Sequence, residues 1–100
     1  METNFWIEKG WGESVENATF RDVEIAIEET INMDEEHGAF WAGNMENENV
    51  LEVHKGLKIF FISEENPDEQ KVQQLNSWED VRRLFRLFFN EDYAQLNKEF

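Results

Sequence analysis

Few residues in this 100-residue chain could do acid-base or metal chemistry, since it has two histidines and no cysteine. His37 follows the acidic run 34–36, and carboxylates beside an imidazole can bind a divalent cation or tune a general base. The spacing is not that of a zinc motif such as His-Glu-x-x-His, and the glycine after His37 is typical of a helix end. A small metal-binding enzyme centred on Glu35, Glu36 and His37 is therefore the weakest of the alternatives considered below.

The other candidates for catalysis have simpler explanations. His54 precedes Lys55 and Gly56, a turn sequence, and is expected to be an exposed residue at a strand end. Ser77 is better explained as a helix cap than as a nucleophile. A carboxylate pair of the glycosidase type would arise by chance among 23 acidic residues. We predict no catalytic residues, no bound metal and no cofactor, and hence a protein that is not an enzyme.

Negative charge is concentrated in the first half of the chain. Residues 1–54 hold fourteen acids and two bases, a net charge of -12, whereas residues 55–100 hold nine acids and seven bases, a net charge of -2. Self-repulsion on this scale disfavours a compact state, so the acidity serves either solubility or the attraction of a basic partner. We favour the basic partner.

Composition limits the classes of partner and compartment. With a net charge of -14, the chain lacks the excess of Lys and Arg that neutralises phosphates, so we expect no direct binding of nucleic acid. No apolar run approaches the roughly 20 residues that span a bilayer, and no signal-peptide pattern is evident. Because the absence of cysteine also fits a reducing compartment, we expect a cytoplasmic protein without membrane contact.

The apolar pattern predicts one α+β domain over residues 1–100, an antiparallel meander of three to four strands packed against two helices. Three stretches have strand character, 39–43, 50–54 and 57–63, and turn residues separate them. The third is apolar on nearly both faces and should be central in the sheet. Residues 3–7 could form a further strand, 11–17 should be turn-like, and 64–76 should be a polar loop with at most a short edge segment.

Two amphipathic helices flank this region. Thr19 and Asp22 resemble a capping box at the start of the first, over 20–33, in which Val23, Ala26, Ile27, Thr30 and Ile31 should share the buried face. Ser77 should cap the second, which Asn90 should end, and a further turn or two should follow up to Lys98.

Clustering of acids around apolar residues selects the candidate partner-binding residues. In the first helix Ile25 stands among acids on the polar side, and two other acidic groups lie in the loop after the helix and in the turn between the first two strands of the meander. The candidates are Glu24, Ile25, Glu28, Glu29, Asp34, Glu35, Glu36, Glu46 and Glu48. Trp6, Trp11, Trp41 and Met45 are further possible anchors, although burial is the commoner fate of tryptophan.

The order helix, meander, acidic loop, helix resembles small bacterial immunity proteins encoded beside polymorphic or contact-dependent growth-inhibition toxins. The resemblance is carried by 37–41 (HGAFW), by 50–54 (VLEVH) with 57–62 (LKIFFI), and by 77–81 (SWEDV) leading to Phe88 and Phe89. It covers residues 20–89 and implies a non-enzymatic inhibitor of a cognate toxin, often a basic nuclease, in the cytosol of the producing cell. It assigns no binding residues.

Our leading hypothesis is therefore an immunity protein that blocks the positive active-site cleft of a basic toxin. The second is a nucleic-acid mimic that inhibits a host or phage DNA-binding protein, which would need carboxylates spaced along an extended surface like phosphates. Both use the same negative charge, so the sequence leaves the choice open.

Overall fold

In residues 3–100, which the computed structural model describes, six antiparallel strands form one sheet. The strands are β1 (Phe5–Lys9), β2 (Ser14–Glu16), β3 (Ala39–Asn44), β4 (Val50–His54), β5 (Lys58–Ser63) and β6 (Asn66–Gln74). Their order across the sheet is β2-β1-β3-β4-β5-β6, so that β3 and β4 are central and β2 and β6 are the edges.

Three helices, α1 (Phe20–Ile31), α2 (Trp78–Phe89) and α3 (Tyr93–Lys98), follow from local sequence signals. At the start of α1 the Asp22 carboxylate accepts a hydrogen bond from the backbone N–H of Thr19, at 2.8 Å. The Ser77 hydroxyl accepts one from the N–H of Asp80 at the start of α2, and Asp92 caps α3 in the same way. These caps satisfy N–H groups that the first turn of a helix leaves without partners.

The helices pack on one face of the sheet only. Alternation along the strands turns Ile7, Phe40, Leu51, Ile59 and Phe61 toward the helices, and all of them are fully buried. From the helix layer, Ile27 of α1 and Phe85 of α2 enter the same core, where the Phe40 and Phe85 ring centroids lie 5.1 Å apart. The residues between the buried ones on each strand therefore form the opposite, uncovered face.

The predicted α+β class and antiparallel meander are confirmed, but the number of strands is higher than the three to four expected. The prediction of a polar loop over 64–76 is wrong, because β6 spans nine residues there and pairs with β5. An edge strand pairs through its backbone and needs little apolar surface, so its sequence can stay polar, and Pro67 is tolerated at such an edge. Residues 11–17 likewise contain the three-residue strand β2.

Smaller differences lie at the helices. The part of the chain described has three helices rather than two, because the further turn or two expected up to Lys98 forms α3 over residues 93–98. Helix α1 ends at Ile31 rather than residue 33, and the Ile31 side chain, expected on the buried face, is 42% exposed. The remaining predicted core residues of α1 are fully buried.

The two neighbouring phenylalanines of β5 test the one-sided packing. Phe61 is fully buried against the helix layer, whereas Phe60 points to the uncovered face and is half-buried. Phe61→Ala should lower the free energy of unfolding by about 3–5 kcal/mol, and Phe60→Ala by no more than about 1.5 kcal/mol. Denaturant unfolding of both variants measures this difference, and equal losses would contradict the assignment of faces.

Candidate partner-binding surface

Helix α1 presents Glu24, Ile25 and Glu28 on the side away from the sheet. Its buried side consists of Val23, Ala26, Ile27 and Thr30. Ile25 is 43% exposed, which is a large fraction for an isoleucine. Among the described residues, neither Glu24 nor Glu28 has a side-chain hydrogen bond or ion pair. This part of the candidate site is thus an exposed apolar side chain between two free carboxylates.

Glu29, predicted to belong to the same cluster, forms an ion pair within the protein. Its carboxylate pairs with the Lys9 ammonium, which reaches the helix layer from the end of β1. The Lys9 side chain is only 8% exposed. A buried ammonium without a partner would be strongly destabilising, so Glu29 neutralises a charge inside the protein and is less available to a partner.

In the acidic run 34–36, Asp34 likewise has a partner within the protein, whereas Glu35 and Glu36 have none among the described residues. The Asp34 carboxylate accepts a hydrogen bond from the backbone N–H of His37, at 2.8 Å, and contacts Nδ1 of the same residue at 3.0 Å. The backbone bond, followed by the ring contact, lowers the pKa of Asp34 below its usual value. Glu35 and Glu36 form the middle of this turn, and their side chains are exposed.

Metal chemistry gains no support from this loop. The His37 Nδ1 atom faces Asp34 rather than the glutamates beside it. Across residues 3–100, no group of three or more His, Asp or Glu side chains is placed to hold a metal ion. The loop around His37 is therefore explained by backbone capping.

Glu46 and Glu48 lie at the opposite end of the sheet from the 34–36 run. The run precedes β3 and the turn carrying the two glutamates follows it. A six-residue strand spans about 17 Å at roughly 3.4 Å per residue. Both glutamates are exposed. The structure therefore does not gather all the predicted residues into one patch.

The uncovered face of the sheet, which we call the open face, carries a continuous apolar band. Two rows of directly opposed residues cross the six strands. The first row is Glu16, Trp6, Gly43, Val50, Ile62 and Gln70, and the second is Ser14, Glu8, Trp41, Glu52, Phe60 and Val72. A solvated sheet face is usually polar, so this band is unusual.

Gly43 explains how Trp6 is held on the open face. The two residues are directly opposed on β1 and β3. A Cβ atom added to Gly43 would come within 2.2 Å of the Trp6 ring, so the indole occupies the space that a side chain at position 43 would need. A ring supported in this way loses little conformational freedom on contact with a partner.

A groove of about 520 Å³ extends the open face toward β2. Its lining residues include Trp6, Met45, Glu8 and Glu16. Met45 is 76% exposed, more than any other large apolar side chain described. The groove thus combines apolar surface with two negative groups.

His54 lies on the open face as well. Its Nε2 is 2.6 Å from a Glu52 carboxylate oxygen, and its ring meets Phe60 edge-on at 5.3 Å between centroids. The side chain is 46% exposed, which agrees with the expected position at a strand end.

The three arginines of α2 have partners within the chain. Arg82 pairs with Glu79, Arg86 stacks over Phe20, and Arg83 donates to Glu99 at 2.6 Å. The hydrogen bond from Arg83, with a second from Gln95, lowers the pKa of Glu99. These contacts join α2 to α1 and to the segment after α3, and they account for the arginines without an external anion.

Sequence reasoning missed the open face as a surface. It named Trp6, Trp41 and Met45 as possible anchors, but it treated the strand 57–63, which carries Phe60, as a central strand and did not name Phe60 among the anchors. The available signal was β5, which is apolar on both faces although the helices cover only one. Without the strand order, an apolar outer face cannot be distinguished from a second buried face.

Comparison with known proteins gives no family. No family model matches the chain, nor does any curated protein or solved structure. Within the described part of the chain, no helix is long and apolar enough to cross a membrane. The function must therefore be argued from the surface itself.

The contact between Gly43 and Trp6 can be measured by a double-mutant cycle. Gly43→Ala should destabilise the protein by about 1–3 kcal/mol, because the new methyl group displaces the indole. In a Trp6→Leu background the same substitution should cost clearly less. Denaturant unfolding of the four proteins gives the coupling energy. Additive losses would show that the indole does not rest on Gly43.

The ion pair between Arg83 and Glu99 predicts a pH dependence. Because the folded-state pKa of Glu99 is lowered, its contribution is complete above the ordinary value of 4.5 and is lost as the pH falls through the folded-state pKa. Glu99→Gln should therefore lower stability by at most about 1 kcal/mol at pH 7, and the difference from the parent should disappear as the pH falls below the folded-state pKa. Thermal unfolding from pH 3 to 8 tests this, and a constant difference would contradict it.

Proposed function

We propose that this protein is a non-enzymatic immunity protein, which binds and neutralises a cognate basic toxin by covering its active-site cleft. The nuclease class of toxin fits best, because its cleft must be positive to hold phosphates and therefore attracts carboxylates. Such an inhibitor would act in the cytosol of the producing cell.

The observation that supports the proposal is a set of carboxylates that form no hydrogen bond or ion pair within the described protein. Carboxylates that stabilise this fold have partners within it: Glu29 pairs with Lys9, and Asp22 caps the start of α1. Within residues 3–54, the following side chains have neither a hydrogen bond nor an ion pair to the described protein: Glu8, Glu16, Glu24, Glu28, Glu35, Glu36, Glu46 and Glu48. Stability of the fold does not explain them, whereas attraction of a basic partner does.

The mechanism would be electrostatic at long range and steric at contact. Charges within a Debye length of about 8 Å at physiological salt accelerate encounter with a surface of opposite sign. Apolar anchors then slow dissociation because they bury surface at the centre of the contact. The toxin's substrate is excluded because the inhibitor occupies the space where phosphates would bind.

The free carboxylates of α1 provide the test of this function. The probe is the purified product of the gene adjacent to this one, in a catalytically inactivated form. Glu24→Lys with Glu28→Lys should reduce the association rate about tenfold at low salt, and the reduction should shrink as salt rises. Glu29 is left unchanged in this variant, because reversing it would place a second ammonium beside buried Lys9. Stopped-flow association kinetics measure the effect.

Asp68→Lys with Glu69→Lys is the matched control, since both side chains are exposed on β6 and the net charge changes equally. Association independent of salt would show that the acidity serves solubility, and equal slowing by the two variants would show that the field of the whole protein, rather than α1, attracts the partner. Failure of the wild-type protein to protect cells that express the active gene product would contradict the immunity function. Displacement of the complex by duplex DNA without such protection would favour the nucleic-acid mimic.

A further inference from the structure

We infer that the open face is the surface on which a basic segment of the partner docks, with arginine side chains lying between its carboxylates and its aromatic rings. This inference rests on the proposed function and names the part of the protein that holds the partner. It assigns contact to the sheet and leaves long-range attraction to α1.

The first argument is the apolar band itself. Trp41 and Phe60 are only half-buried although each lies on a strand that is paired on both sides, and Val72 on the edge strand is 47% exposed. Helices cover the opposite face, and among the described residues no segment folds over this one. Contiguous apolar surface of this kind marks interaction sites.

The second argument is the alternation of charge and ring along the second row. Trp41 lies directly between Glu8 and Glu52, and Phe60 follows Glu52. Side chains directly opposed on neighbouring strands have Cβ atoms about 4.5–5.5 Å apart. A guanidinium stacked on the Trp41 ring can therefore reach a carboxylate on either side. Arginine suits this arrangement better than lysine, because its planar group stacks and binds carboxylates in bidentate fashion.

The protein already holds two of its own cations on aromatic rings. The Lys9 ammonium lies 5.8 Å from the centre of the Trp11 ring and pairs with Glu13 and Glu29. The Arg86 guanidinium lies 4.4 Å from the centre of the Phe20 ring. The open face offers the same combination of ring and carboxylate, with no cation of the described chain within pairing distance of Glu8.

Charge also distinguishes a basic partner from a second copy of this chain. The open face carries Glu8, Glu16 and Glu52 against Lys58 alone, apart from His54. Two copies placed face to face would bring acidic surfaces together, which is destabilising when the carboxylates are desolvated. A segment rich in arginine has the complementary charge.

The test uses two acetylated and amidated hexapeptides, one alternating arginine with glycine and one alternating lysine with glycine. Each is titrated into the uniformly ¹⁵N-labelled full-length protein at low salt and followed by NMR. We expect shifts concentrated at the indole N–H groups of Trp6 and Trp41 and at the amides of β1, β3 and β4. The arginine peptide should bind about threefold more tightly than the lysine peptide.

Variants separate the open face from other acidic surface. Trp41→Ala should weaken binding of the arginine peptide about three- to fivefold, whereas Trp11→Ala, a half-buried tryptophan outside the open face, should leave it unchanged. Glu8→Gln with Glu52→Gln should weaken binding even if Trp41→Ala fails to fold. Equal effects of the two tryptophan variants would overturn the inference.

The remaining outcomes distinguish this inference from the proposed function. Shifts centred on α1 would overturn docking on the open face and leave the immunity function standing. Absence of shifts up to millimolar peptide would overturn the inference alone, since toxin protection is measured independently. Concentration-dependent dimerisation through Trp41, detected by sedimentation, would replace the basic segment with a second copy.

Discussion

The contact on which the rest of the structure depends is the packing of Phe40 in β3 against Phe85 in α2. The two rings join the centre of the sheet to the centre of the helix layer, and both side chains are fully buried. Burial of such rings supplies much of the free energy that holds a domain of this size together. Because α1, α2 and α3 all lie on this side, the sheet has one covered face and one open face.

In strand β3, the division between a covered and an open face determines which residues belong to the candidate site. Phe40 and Ala42 point to the core, so Trp41 and Gly43 must point outward. The missing side chain of Gly43 leaves room for the Trp6 ring, and Trp41 lies between two carboxylates from the neighbouring strands. The alternation that builds the core thus also builds the apolar and acidic row on the opposite face, and a shift of one residue in register would destroy both.

The acidic residues divide into two groups with different physical roles. Glu29, Asp22 and Asp34 neutralise or cap groups of the fold, whereas Glu24 and Glu28 on the outer side of α1, and Glu8 and Glu16 on the open face, form no hydrogen bond or ion pair within the described protein. The two free groups lie on opposite sides of the molecule, since α1 covers the inner face of the sheet. Long-range attraction needs only the net field, but a contact surface needs rings and carboxylates in register, which the open face has.

Local interactions determined what could be predicted from the sequence by itself. The capping residues Thr19 and Ser77 and the apolar period of α1 and α2 act within a few residues, as do the turns of the meander, so these elements were predictable. The edge strands β2 and β6 were not, although each pairs with the strand just before it in the chain, because backbone hydrogen bonds form them and their side chains carry no strong pattern. The pairing of Glu29 with Lys9 was hidden because the two residues lie 20 positions apart in the sequence. Only the tertiary structure decided that Trp41 and Phe60 share an uncovered face, because exposure of a strand depends on the layer packed against it and not on its own alternation.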